Sequence, residues 1–159
     1  MNRRQIGLKL VLNELGMTPS VDTFDDRLIL QKTVYLVQQL GIPLGYYFSW
    51  YIRGPYSRDL TADAFADLGT DMPDGWFLDD PLKTTLAGAK PFLDSVRSQP
   101  DAARELEKLA SVLFVVKTRQ ALPDDTDSIT QRMTAAGKDF SQEEVKDAVR
   151  ILRTKNFLP

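Results

Sequence analysis

The sequence predicts a mainly α-helical α+β fold: a helical domain with a small antiparallel β element in a winged-helix-like order. Three observations predict it. Apolar residues recur at amphipathic-helix spacing over most of the chain, and residues Tyr47 to Arg53 alternate as a strand does. Capping residues and glycines mark where helices start and stop.

The elements follow in order. Arg3 to Leu15 reads as a helix, with Ile6, Leu10, Val11 and Leu15 on one face and Gly16 as the stop. After a loop, Thr23 or Asp22 caps a second helix that runs to about Leu40, and Asp25 and Asp26 lie in its first turn, where the helix dipole favours anions. Its broadly apolar surface places it centrally. In the strand from Tyr47 to Arg53, Phe48, Trp50 and Ile52 take the inner face, and Tyr47, Ser49, Tyr51 and Arg53 the outer one. Gly54-Pro55 ends this strand, because proline has no ladder donor. Ser57 then caps a helix from Arg58 to Leu68, closed by Gly69.

Trp76 to Leu78 and Leu82 to Thr84 read as two short strands, a wing, followed by a helix capped by Thr85. Asp101 to Arg119 reads as a helix; its centre, Val112 to Val116, has the composition of a buried strand as well, and the lack of flanking Gly or Pro favours the helix. Ser128 to Ala136 is a short helix, and Ser141 with Glu144 forms a capping box that opens the last one. No repeat, low-complexity stretch or linker interrupts the 159 residues, so one domain is expected.

Composition narrows the chemistry. The chain has no Cys and no His, which removes disulfides, thiolate nucleophiles and imidazole ligands or bases. No apolar run approaches the ~20 residues that span a bilayer, and the first residues lack a signal-peptide core. A cytoplasmic protein without cofactor, bound metal or membrane association is the expectation. Twenty basic residues are balanced by 22 acidic ones, giving a net charge of −2, which argues against a dominant phosphate-binding surface.

Catalytic patterns are missing. Asp124, Asp125 and Asp127 lack the Gly and terminal Glu of a calcium loop. Asp101 with Glu144 and Lys146 has the residue types of a magnesium nuclease, yet Glu144 belongs to the capping box. No glycine-rich phosphate cradle occurs, and no His stands ready to activate a serine. In a DNA-reading winged helix, the helix after Ser57 would enter the major groove. It carries Asp59, Asp63 and Asp67 on one face against Arg58, a poor match to phosphate.

The aromatic cluster Tyr46, Tyr47, Phe48, Trp50, Tyr51 and Tyr56 is the strongest signal of a contact surface. Its inner members read as core. Its outer members Tyr47 and Tyr51, with Arg53, are the residue types that dominate binding hot spots.

Leu30-Gln31-Lys32-Thr33-Val34-Tyr35-Leu36, followed by Phe48-Ser49-Trp50-Tyr51-Ile52-Arg53-Gly54-Pro55-Tyr56-Ser57, resembles the signature of the YwgA-like proteins, which are related to the Panacea domain of SocA-type antitoxins. The resemblance continues through Leu109 to Lys117 and Phe140 to Ala148. It implies a small helical protein with a modest β element and no known catalysis. Panacea domains act mainly as antitoxin modules that neutralise diverse toxins. Gly54 to Ser57 fit the YwgA-like branch better, and Thr33-Val34 departs from the usual Leu.

The expected function is therefore a non-enzymatic protein-interaction module, antitoxin-like or regulatory, in a bacterial stress or phage-defence setting. Tyr47, Tyr51, Arg53 and Arg58 are its candidate contact residues. Gln31, Lys32, Tyr35, Trp50, Gly54, Pro55, Tyr56 and Ser57 form the candidate junction of helix and strand, held by hydrogen bonds. Another protein is the expected partner, with a homo-oligomer left open. A winged-helix DNA-binding regulator is the alternative.

Overall fold

A computed structural model describes residues 1–67 and 69–159. Its described residues form α1 (Arg3–Glu14), α2 (Phe24–Gln39), β1 (Ser49–Tyr51), β2 (Gly54–Tyr56), α3 (Arg58–Asp67), α4 (Asp80–Arg97), α5 (Ala102–Lys117), α6 (Thr126–Ala135) and α7 (Gln142–Thr154). The protein is mainly helical with one two-stranded antiparallel sheet, as the periodicity predicts. Among the described residues, no helix is long and apolar enough to cross a membrane.

Helices α2 and α5 form the centre, and both contact β2; α4, α6 and α7 pack against α5, and α1 against α4. A continuous apolar core joins Leu8, Val34, Leu36, Leu60, Leu106 and Leu113 with residues of every other helix. The stretch Val112 to Val116 lies inside α5, where its β-branched residues fill the core as a helix. Capping boxes at Asn2, Thr23 and Ser141 open α1, α2 and α7.

The predicted strand from Tyr47 to Arg53 contains β1, but the predicted wing does not form. Trp76 to Leu78 has no regular structure, and Leu82 to Thr84 belongs to α4. The reason is the start signal at Asp79: its carboxylate accepts from Leu82 N, and Pro81 occupies the first turn, so the helix begins before Thr85. No wing forms there. The hairpin is made instead by residues 49–56, between α2 and α3.

Gly54-Pro55 likewise does not end a strand but begins β2. Ile52 and Arg53 turn the chain, and Gly54 closes the turn at φ +93°, a conformation that L side chains rarely adopt. The register pairs Ser49 with Tyr56, Trp50 with Pro55 and Tyr51 with Gly54. Pro55 has no N–H, so it sits at the non-hydrogen-bonded pair, where a strand donor is not needed on that side. The short strand also redirects Ile52: it is 71% exposed at the turn, not in the core. Phe48 and Trp50 are half-buried, Phe48 against Tyr35 and Trp50 against Phe114. The predicted end of α3 at Leu68 falls outside the described residues, as does the side chain of Asp67.

A methyl group at Gly54 would collide with Ser111 Oγ as well as face an unfavourable φ. Gly54→Ala is expected to lower stability by about 2–4 kcal/mol in urea denaturation. Adding Ser111→Ala should return the steric part and leave the backbone part.

Candidate functional site

The polar residues of α2 fasten the hairpin to the core. Gln31 Nε2 donates to Ser57 O at 2.9 Å, and Ser57 N donates to Gln31 Oε1 at 2.9 Å. Between them Lys32 Nζ donates to Pro55 O at 2.6 Å. Two turns further on, Gln38 repeats the device: its Nε2 donates to Tyr46 O and its Oε1 accepts from Tyr46 N, both at 2.9 Å. Residues 31 and 38 are seven apart and share a helix face. Tyr35 lies between them and meets the ring of Phe48 edge-on at 5.2 Å. Gln31, Lys32, Tyr35, Trp50, Gly54, Pro55, Tyr56 and Ser57 are thus brought together as one junction; Tyr56 joins it through its hydroxyl, which accepts from Thr61 Oγ1 at 2.8 Å.

Buried charge surrounds the junction. Lys32 is 2% exposed. Burial pushes its amine down from 10.5 to about 7, Glu107 opposes that shift and Lys138 adds to it. Lys138 is also lowered, chiefly by burial; it donates to Ile52 O at 2.7 Å, lies 3.7 Å from Glu107 and sits over the Trp50 ring at 5.0 Å. The hairpin is therefore held from α2 on one side and from the α6–α7 connection on the other. Among the described residues, Ser111 Oγ, which faces Gly54, and Thr33 Oγ1 are buried without a hydrogen-bond partner.

A separate polar knot secures the start of the aromatic segment. Asp63 accepts from Arg4 Nε at 2.9 Å, Gln5 Nε2 at 3.0 Å and the Tyr46 hydroxyl at 2.8 Å. Burial pushes its carboxyl up, and these three donors outweigh that effect and hold it below the usual range. Asp63 is consequently an internal anchor and does not form the outward acidic face with Asp59 that the spacing predicts.

On the outside, the hairpin tip stands between two clefts. The first, about 460 Å³, is bordered by Phe24, Leu28, Tyr51, Ile52, Arg53 and Phe65, with Gln31 and Lys32 beneath. The second, about 680 Å³, lies across Ile52 and Arg53 and is the more polar of the two, lined by Asp25, Arg104, Glu107, Lys138 and Asp139 among others. Phe24, Tyr51, Ile52 and Phe65 are all exposed around the first cleft, an apolar cluster of the kind that marks interaction sites. Arg53 lies over the Phe24 ring at 5.8 Å.

Of the four predicted contact residues, Tyr51 and Arg53 meet at this groove. Tyr47 and Arg58 are exposed but are not part of its lining. Sequence reading missed Phe24, Phe65 and Arg27, because each sits on a helix and reaches the hairpin only through the tertiary fold. It missed Lys138 for the same reason, 86 residues from the carbonyl it serves. Glu144, considered as a metal-binding carboxylate, is occupied by Arg104 at 2.6 Å and by its capping box. No family model, curated protein or solved structure matches the chain.

The Lys32 amine makes stability depend on pH with a definite sign. Between about pH 7 and pH 10.5 the unfolded chain holds a proton that the folded chain has shed. More protons on the unfolded state mean that stability rises with pH in this window. The gain is up to about 1.4 kcal/mol per pH unit. Urea midpoints of the wild type should therefore climb across that range relative to Lys32→Met, which removes the titrating group.

Proposed function

We propose that the chain is a non-enzymatic protein-interaction module, antitoxin-like or regulatory, acting in the bacterial cytoplasm through the groove beside its hairpin tip. One observation carries the reading. Four exposed apolar side chains, Phe24, Tyr51, Ile52 and Phe65, surround a groove on a fastened main-chain frame, with the guanidinium of Arg53 at its rim. A contact surface needs an apolar centre and a polar edge, and its energy is concentrated in aromatic and Arg side chains. A frame already ordered before binding also reduces the entropy lost on association.

The resemblance to the YwgA-like and Panacea families supports the same class of function, since Panacea domains act by binding toxins. The junction residues that carry this resemblance are those that hold the hairpin in place. For the DNA-binding alternative no comparable geometry stands out. Asp59 and Asp63 of α3 both engage Arg4, and the hairpin precedes α3 instead of following it.

A photoreactive residue at position 52, introduced in the native host, should crosslink to a discrete protein. Tyr51→Ala and Arg53→Ala should each weaken that capture by about tenfold or more, the effect of losing a hot-spot side chain, and Tyr47→Ala should leave it unchanged. Absence of any saturable crosslink, or equal capture by all the variants, removes the proposal.

A further inference from the structure

The groove is electrostatically one-sided. Its lining includes the guanidinium groups of Arg27 and Arg53 and no carboxylate, although the chain as a whole carries a net charge of −2. Asp25 lies on the far side of the tip, in the polar cleft. Among the described residues, the Arg53 guanidinium has no ion-pair partner and lies against the Phe24 ring. An occupant that suits this site brings an apolar anchor flanked by carboxylates.

The same chain displays such a segment. Asp74-Gly75-Trp76-Phe77-Leu78-Asp79-Asp80 leads into α4, and its first five residues have no helix or strand. Phe77 is 79% exposed, and Trp76 is exposed beside it. Asp74 and Asp80 are exposed and take part in no ion pair among the described residues. The segment borders a depression of about 530 Å³ against α1 and residues 43–45. That depression shares no lining residue with the basic groove, so the two surfaces are distinct parts of the molecule.

From this complementarity we infer that the occupant of the groove is a second copy of the chain: the Asp74–Asp80 segment of one molecule docks into the groove of the next, with Phe77 against Phe24, Tyr51 and Phe65, and the flanking carboxylates facing Arg27 and Arg53. This rests on reading the groove as a protein-docking site and names the partner. The contact joins two different surfaces, so it is head-to-tail. Each added copy leaves one groove and one segment free, and growth continues unless the rotation closes a ring. Salt should weaken the contact, since its charged rim is exposed to solvent.

Sedimentation over a wide concentration range tests the inference. The weight-average mass of the wild type should rise with concentration, less so at high salt. Phe77→Ala and Tyr51→Ala should each stay monomeric, with association weakened by about thirtyfold, and Arg53→Glu should behave likewise. Thermal melts matching the wild type would show that these surface variants are folded. The decisive arm mixes Phe77→Ala with Tyr51→Ala. The first retains an intact groove and the second an intact segment, so together they should give a dimer and nothing larger. A wild type that is monomeric throughout, single variants that still associate, or a mixture that stays monomeric would each overturn self-docking. If position 52 then crosslinks only to a different protein, the groove remains a docking site and the inference alone fails.

Discussion

A two-stranded hairpin is marginal by itself in water, and the hydrogen bonds from α2 answer that weakness here. Along β2, alternate residues turn their main-chain groups towards β1, while Pro55 and then Ser57 turn theirs towards the helix. A third strand would normally satisfy that edge. Side chains of α2 take its place: the Gln31 amide exchanges two hydrogen bonds with Ser57 as a peptide group would, and Lys32 serves the Pro55 carbonyl. Because proline offers no donor, a single donating amine is the correct complement at that position. Gln38 performs the Gln31 role again at Tyr46, where the chain enters the aromatic segment.

This arrangement explains why charged groups are buried where an all-apolar interface would be simpler. A Leu or Met at position 32 would fill space but leave the Pro55 carbonyl without its partner, a loss of about 1–3 kcal/mol. The amine therefore remains, at the expense of desolvation that draws its proton affinity down towards neutrality. Lys138 and Glu107 extend the same compromise to the other side of the turn. Positional definition of the tip results: the two glutamine brackets are tied to α2, and the Ile52 carbonyl to Lys138 of the α6–α7 connection. The side chains of Tyr51, Ile52 and Arg53 accordingly project from an ordered base.

Much of this was legible from local signals. The Thr23 cap, the capping box at Ser141 and the helical periodicity all depend on residues near one another in sequence, and each appears as read. The wing was misplaced because Trp76, Phe77 and Leu78 have strand-like composition, while Asp79 and Pro81 supply a stronger helix start. Gly54-Pro55 was mistaken for a terminator because proline's missing donor disrupts a ladder only on the hydrogen-bonded side, and the register that spares it is a pairwise property. Asp63 looked like a surface acid by its four-residue spacing from Asp59; its burial depends on Arg4, Gln5 and Tyr46 converging from two distant segments. The groove was legible only in half, since Phe24 and Phe65 belong to different helices.

The ties that position the hairpin run to main-chain atoms: Tyr46, Ile52, Pro55 and Ser57 are held by their amides or carbonyls. The side chains of residues 51–53 contribute little to that attachment and lie open to solvent. Mutational drift at those three sites is thus decoupled from folding, and related chains could exchange the identity of their tip while inheriting the mount unchanged. Such a division lets one scaffold vary the side chains of its tip without passing through unstable intermediates.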